Sequence, residues 1–304
     1  MTTSNPTPNA ELSGWLKLRE AADAASRSNA LTAVAAGAAR AAADGAPVRV
    51  LDLGTGAGSN LRFLIPHLGP RQHWLVVDRG EDLLHDLLMR TAPWAASRGL
   101  SAAIAAGRLT IAGSDLECVV ETTAMDLGPL ADRSIFEDRQ LVTASALLDL
   151  VSPSWLRTVA GECRRHGAAA LFTIIYNGHN ACAPEDTADG RVLALFNEHQ
   201  RTDKGLGGPA AGPSATEAAR LAFEAEGFTV RSEPADWAIG PDSAEMQRYL
   251  IDGWAGAARE VSPDDAAVIE AWRLRRLAVV EAGASHLAVG HFDLVATRSS
   301  QPNG

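Results

Sequence analysis

The sequence predicts an α/β fold, a mostly parallel sheet joined by crossover helices. Two observations carry this. Short β-rich runs alternate with helical stretches, Val48 to Leu53 then Asn60 to His67, and His73 to Asp78 then Glu81 to Arg90, the order that a parallel sheet with connecting helices produces. The bulk composition is also that of a globular chain: 304 residues, 46% hydrophobic and 21% charged, enough to enclose a core in one large α/β domain or two small ones.

The elements follow in order. Residues 1–11 are polar and rich in Thr, Asn and Pro, and read as a disordered tail. Residues 12–45 read as an N-terminal helical cap of one or two Ala-rich helices, with Asp23 and Arg27 spaced i,i+4 for an ion pair. The main domain spans 46–300, since no low-complexity linker or repeat divides it. After the first two strands, Leu109 to Ala112 and Cys118 to Ala124 both qualify as the third; the second is assigned to the main sheet and the first to an added edge. Gln140 to Ala144 is the fourth strand, Ser152-Pro153 opens a helix to about His166, and Ala169 to Tyr176 is the fifth strand. Ser214-Ala-Thr-Glu217 opens a helix ending at Gly227, and Phe228 to Ser232 is a further strand. A helical stretch, Asp242 to Ala282, precedes the last strand, His291 to Thr297. Two insertions, about 177–213 and 240–284, are expected to form a lid. Trp254, Trp272, Arg273, Arg275 and Arg276 fall on helices of the second, the tryptophans as packing residues.

A formal net charge of −10 without any Lys/Arg run opposes nucleic acid as a partner, because a phosphate backbone needs a concentrated basic face. Cys118, Cys163 and Cys182 form no Cys-x-x-Cys pair, so neither a zinc knuckle nor a disulfide framework is indicated, and a reducing, cytoplasmic setting is expected. The N-terminus lacks the basic and apolar regions of a signal peptide. The Ala-dominated run from Ala30 to Ala43 is broken by Gly37 and Arg40, too weak for a membrane span.

The segment with the most chemistry is Val48-Arg-Val-Leu-Asp-Leu-Gly-Thr-Gly-Ala-Gly58: an apolar strand, an acidic end, then glycines at alternate positions before a helix. Gly54 and Gly56 permit a tight turn and close approach of backbone to a ligand, and the helix start offers unpaired NH donors. Asp78 ends the second strand, where a carboxylate accepts from both ribose hydroxyls. Met125-Asp126-Leu127 follows the third strand, placed for an adenine. A dinucleotide pattern from Gly54 would need glycine at 59, which is Ser59.

Asp52, Gly54, Gly56 and Gly58, taken with Asp78 and Asp126, resemble the class I S-adenosylmethionine-dependent methyltransferases over roughly Val48 to Tyr176. The resemblance implies a Rossmann-like seven-stranded sheet with the last strand antiparallel, and S-adenosyl-L-methionine held over the C-terminal ends of the first strands. Asp52, Gly54, Thr55, Gly56, Gly58, Asp78, Arg79, Asp126, Leu127 and Ser145 are its expected contacts, with Asp52 suited to the methionine ammonium. Arg19 in the cap is a further candidate, for the cofactor carboxylate.

The methyl acceptor is then expected after the fourth and fifth strands. No (Asp/Asn)-Pro-Pro-aromatic signature of nucleic-acid base methylation follows the fourth strand; Asp149 there reads equally as a satisfied helix residue. Beyond Tyr176-Asn-Gly-His179, a helix is expected from Arg191 to Lys204, with Asp189 as N-cap and Gly205 as terminator. Val192, Phe196, His199 and Asp203 would share one face. His199 is the candidate base, paired with Asp203, and Lys204 would neutralise an acceptor anion. Tyr176, Asn177 and Asn197 complete the expected substrate contacts. His199 and Asp203 are two ligands without a third, so no metal site is expected. Gly205 to Pro213 is turn-rich and placed to close over a site. The block Phe196-Asn-Glu-His-Gln-Arg-Thr-Asp-Lys-Gly205, with Ser145 to Leu150, resembles a bacterial subgroup of methyltransferases whose members have Tyr-Asp-Gly where this chain has Tyr176-Asn177-Gly178, so a role needing that charge does not carry over. The expected activity is methyl transfer to a small-molecule O or N acceptor; the alternative is a regulatory module that binds the cofactor without turnover.

Overall fold

In the computed structural model, which describes residues 8–298, the strands are β1 (Val48–Leu53), β2 (Arg71–Asp78), β3 (Ser101–Ala105), β4 (Arg108–Gly113), β5 (Leu116–Ala124), β6 (Leu141–Ser145), β7 (Ala169–Ala183), β8 (Phe228–Pro234), β9 (Trp237–Ile239) and β10 (His286–Arg298). The helices are α1 (Pro8–Ser26), α2 (Asn29–Ala43), α3 (Ser59–Leu64), α4 (Glu81–Ala96), α5 (Pro153–His166), α6 (Asp189–His199), α7 (Ala215–Ala225), α8 (Ala244–Val261) and α9 (Ala266–Glu281).

β1 is buried throughout except for a half-buried Arg49, the pattern of a central strand covered on both faces. It pairs in parallel with β2 and β6, and the sheet runs β3-β4-β5-β2-β1-β6-β7-β10-β8 with β9 against β10. Its centre is parallel, and β10 is antiparallel to β7, β8 and β9, as the α/β reading requires. The strand count differs: ten among the described residues rather than seven. The extra strands are β9 and the β3–β4 hairpin, which adds an antiparallel edge to β5. That hairpin turns on Ala106 and Gly107, both at positive φ (49° and 74°), as a two-residue loop between right-twisted strands demands.

Three buried clusters divide the molecule. One lies between the sheet and α5 and α7, a second between the sheet and α2, α3 and α4. The third joins α6, α8 and α9 to the extended ends of β7 and β10, through Val192, Leu195, Ile251, Trp254, Ile269 and Trp272. Each large apolar side chain so enclosed contributes about 1.5–3 kcal/mol, so the two insertions are a packed layer with its own core and not loose loops.

Several boundaries move. Pro8 to Glu11, assigned to the tail, begin α1; residues 1–7 and 299–300 lie outside the described residues. β7 continues seven residues past Tyr176 because β10 starts at His286 and pairs with the extension. Asp23 forms its ion pair with Arg19 (3.3 Å); α1 ends at Ser26, and Arg27 turns inward to Asn60 Oδ1 (2.9 Å) and Ser145 Oγ (2.8 Å). Ser152 caps α5 through Trp155 N (3.1 Å), while Ser214 makes no capping bond because Gly212–Ser214 already form a 3-10 turn. Asp293 lies where the β7–β10 register shifts, accepting from Ile174 N (2.9 Å) and Ser28 N (2.8 Å).

Candidate functional site

The glycine turn after β1 is built from both strand ends. Gly54, Gly56 and Gly58 all have positive φ. A Cβ at Gly56 would lie 2.9 Å from Leu16, and one at Gly58 2.6 Å from Leu87, so the turn is closed to larger residues by packing as well as by backbone. Asp78 holds this turn from β2: its Oδ2 accepts from Gly56 N (2.8 Å) and its Oδ1 from Gly80 N (3.0 Å).

Over the C-terminal ends of β1, β2, β5 and β6 lies a cleft of about 490 Å³. Gly54, Gly56, Asp78, Arg79, Asp126, Leu127 and Ser145 line it, as does Arg19. Asp126 Oδ1 accepts from Gly128 N (2.9 Å), and the Leu127 carbonyl is fixed by the Trp155 indole (2.7 Å). Asp52 and Thr55 do not line the cleft. Asp52 is wholly buried, accepting from Thr55 Oγ1 and Asn60 Nδ2 (both 2.6 Å), and burial raises its carboxyl to about 6 despite these bonds. Its place is inside the turn, where it braces the glycine segment. Gly58, likewise off the cleft, sits under α4 against Leu87.

Sequence reasoning named Arg19 on the wall opposite the strands but missed its apolar neighbours: Leu12, Trp15 and Leu16 of α1 line the cleft beside it. Their spacing with Arg19, i, i+3, i+4, i+7, is one helix face, and that periodicity was the available signal. Leu147 and Leu150, beyond β6, form the other apolar wall.

The block after β7 is arranged differently from its expected face. α6 ends at His199, because Thr202 Oγ1 bonds the His199 carbonyl (2.9 Å) and Asp203 Oδ1 accepts from Gly205 N (2.7 Å), local bonds that compete with a further helical turn. Asp203 therefore does not pair with His199. His199 Nε2 meets Glu260 (3.0 Å) and Nδ1 meets Lys204 Nζ (3.2 Å). With Nε2 on the Glu260 carboxylate and Nδ1 on the Lys204 ammonium, His199 has no ring nitrogen left to serve the cleft as a base. Lys204 does line the cleft, its ammonium held by the His199 carbonyl (3.0 Å) and Thr202 (2.9 Å). Tyr176 donates to Asn197 Oδ1 (2.6 Å) and accepts from Asn180, and Asn197 donates to the Gly178 carbonyl (2.8 Å). Asn177 accepts from His179 N (2.9 Å). These residues tie α6 to β7 and do not line the cleft. Asp189 is not the N-cap of α6; it is the partner of the buried Arg276 and of the Trp272 indole (2.8 Å). The turn-rich segment is pinned beside the cleft by Ser152 N to the Leu206 carbonyl, Ala211 N to Val151 and Gly212 N to Asp149.

Asp149, equally readable from the sequence as a satisfied helix residue, is not itself in the cleft lining, though Leu147 and Leu150 on either side of it are. It lies in the turn between Leu147 and Leu150 rather than in a helix, is 8% exposed, and its Oδ1 is buried without a hydrogen-bond partner. Burial raises its carboxyl to about 6, with backbone NH groups and the Arg19 charge opposing the rise. Nearby, His291 packs against Trp237 and Tyr176 (ring centroids 4.6 and 6.2 Å) and is held near 3, in its neutral form, by burial and then by Arg19.

No family model and no curated protein matches the chain. Among solved structures, it is similar to a cyclopropane-fatty-acyl-phospholipid synthase-like protein from Lactobacillus casei, at 15% identity over 95% of this chain and 94% of that one, with a TM-score of 0.48. A cyclopropane synthase from Mycobacterium tuberculosis gives 12% identity over 87% and 82%, with a TM-score of 0.41. An O-methyltransferase family protein from Burkholderia thailandensis gives 13% identity over 96% of this chain and 59% of that one, at 0.43. These overlaps are too loose to carry chemistry across, and function is read from the cleft. Among the described residues no group of three or more metal-ligating side chains occurs, and no helix is long and apolar enough to cross a membrane.

Proposed function

We propose that the cleft binds S-adenosyl-L-methionine and that the protein transfers its methyl group to a small-molecule O or N acceptor. The observation that supports this most is the convergence of the glycine turn, Asp78 and the Asp126–Leu127 pair on one cleft with Ser145 at its far edge. The residues fit the group. The backbone at Gly56 presents no side chain toward it, Asp78 keeps lone pairs beyond those used by Gly56 and Gly80 for ribose hydroxyls, and Asp126 follows the neighbouring strand β5, placed for the adenine amine. Of the cations lining the cleft, Arg19, Arg79 and Lys204, Arg19 on α1 is the one we assign to the methionine carboxylate.

When bound, the cofactor supplies a methyl carbon already activated by its positive sulfur. The protein's task is then alignment and exclusion of water. α1 covers one side with Leu12, Trp15 and Leu16, and Leu147, Leu150 and Leu206 cover the other. Incubated with methyl-labelled donor and a metabolite extract, the protein is expected to place label in a product of low molecular weight, and Asp78→Ala to place none. Label confined to unreacted donor in both proteins, with donor bound, would favour the regulatory-module reading.

A further inference from the structure

We propose that Asp149 takes the proton from the methyl acceptor, and that the acceptor is an amine entering as its ammonium against the cleft wall formed by the turn after β6 and α1. This rests on the S-adenosylmethionine reading of the cleft. Two observations point there. Asp149 stands between two cleft-lining leucines, nine-tenths buried, with Oδ1 unpartnered, a costly arrangement that a donor group from a ligand would relieve. Arg19, itself on the cleft wall, is the cation acting on Asp149, and it is already paired with Asp23 at 3.3 Å, so an ammonium acceptor supplies a positive charge that Asp149 otherwise shares.

The step balances. The ammonium gives one proton to the Asp149 carboxylate. The freed nitrogen lone pair forms the N–C bond to the methyl carbon as the C–S bond breaks with its electron pair going to sulfur, leaving a neutral thioether, an N-methylammonium product and a protonated Asp149. A carboxyl raised to about 6 is ionised near neutrality and close enough in affinity to release the proton again. His291, neutral across the same range, adds no competing positive charge.

The probe is sinefungin, in which a carbon bearing a primary ammonium replaces the sulfonium methyl, compared with S-adenosylhomocysteine, which lacks that ammonium. Calorimetric titration of the full chain at pH 8 should show sinefungin bound roughly tenfold more tightly, the value of one desolvated charge-assisted hydrogen bond. In Asp149→Asn the two ligands should bind equally, with affinity for S-adenosylhomocysteine unchanged. In the wild-type protein the preference should fade as pH drops through about 6, where Asp149 becomes neutral; Arg19 from α1 and Tyr176 from β7, the other ionisable groups acting on it, keep their charge states there. The wild-type titration decides the matter if the variant does not fold. Equal preference in wild type and variant, or a preference that persists at pH 5, overturns the role of Asp149 while leaving the cofactor reading intact; failure of both ligands to bind overturns the cofactor reading itself.

Discussion

Asp52 and Asp78 end neighbouring strands paired in register, yet only Asp78 reaches the cleft. The difference lies in their partners. Side-chain donors three and eight residues along the chain enclose Asp52 inside the turn, fully buried, whereas Asp78 accepts from backbone NH groups at the cleft rim and keeps lone pairs facing it. Asp149 has neither arrangement, and its stability signature follows from the sign of its shift. Its folded carboxyl is raised from 3.8 to about 6, so the folded state holds the proton more tightly than the unfolded chain. The stabilisation from that proton is full below the unfolded value and is lost as pH rises through about 6. Asp149→Asn, which cannot ionise, is therefore expected to be more stable than wild type by about 3 kcal/mol at pH 8, with most of the difference gone at pH 4. Urea unfolding at the two pH values measures it, and an equal difference at both would show that the carboxylate is not desolvated.

At the level of elements, the α6 region shows what a one-dimensional pattern carries and what it loses. The helix itself was legible from the spacing of Val192 and Phe196, both of which face the third cluster. Its ends were not. Asp189 has the residue type and position of an N-cap, but Arg276, 87 positions away, takes its carboxylate. Loss of a cap costs about 1 kcal/mol; removal of the partner of an Arg276 that is 1% exposed leaves a buried charge unpaired, at about 3–5 kcal/mol. Asp189→Ala is expected to fall in the higher range by urea unfolding, and a loss near 1 kcal/mol would return Asp189 to the capping role. By contrast, the glycine segment and the carboxylate of β2 were legible because their chemistry is local, a turn and a strand end. The apolar part of the α1 wall was not, since Leu12, Trp15 and Leu16, unlike Arg19, show their purpose only once the helix lies against the strand ends. Asp149 read equally as a satisfied helix residue for a related reason: its burial is set by Arg19, the segment from Leu206 to Gly212 and β7, none adjacent to it in sequence.

For the molecule as a whole, the sheet supplies one side of the cleft and the helices supply the other. The α/β order read from alternating strands and helices survives with three added strands, because the β3–β4 hairpin and β9 extend the sheet's periphery without altering the order at its centre. The insertions form a third layer whose core binds α1 to the ends of β7 and β10 through Trp15, Trp237 and Tyr249. The cleft is thus bounded by parts of the chain separated by more than a hundred residues, and a ligand filling it should stabilise the entire fold. The central claim, that this cleft is a site for S-adenosylmethionine, is tested most directly by calorimetric titration of S-adenosylhomocysteine into the wild-type protein and into Asp78→Ala. One ligand per chain in the wild type, weakened by roughly a hundredfold in the variant as two charge-assisted ribose bonds are lost, is the predicted result. Absence of binding to the wild type, or equal binding to both proteins, would contradict it.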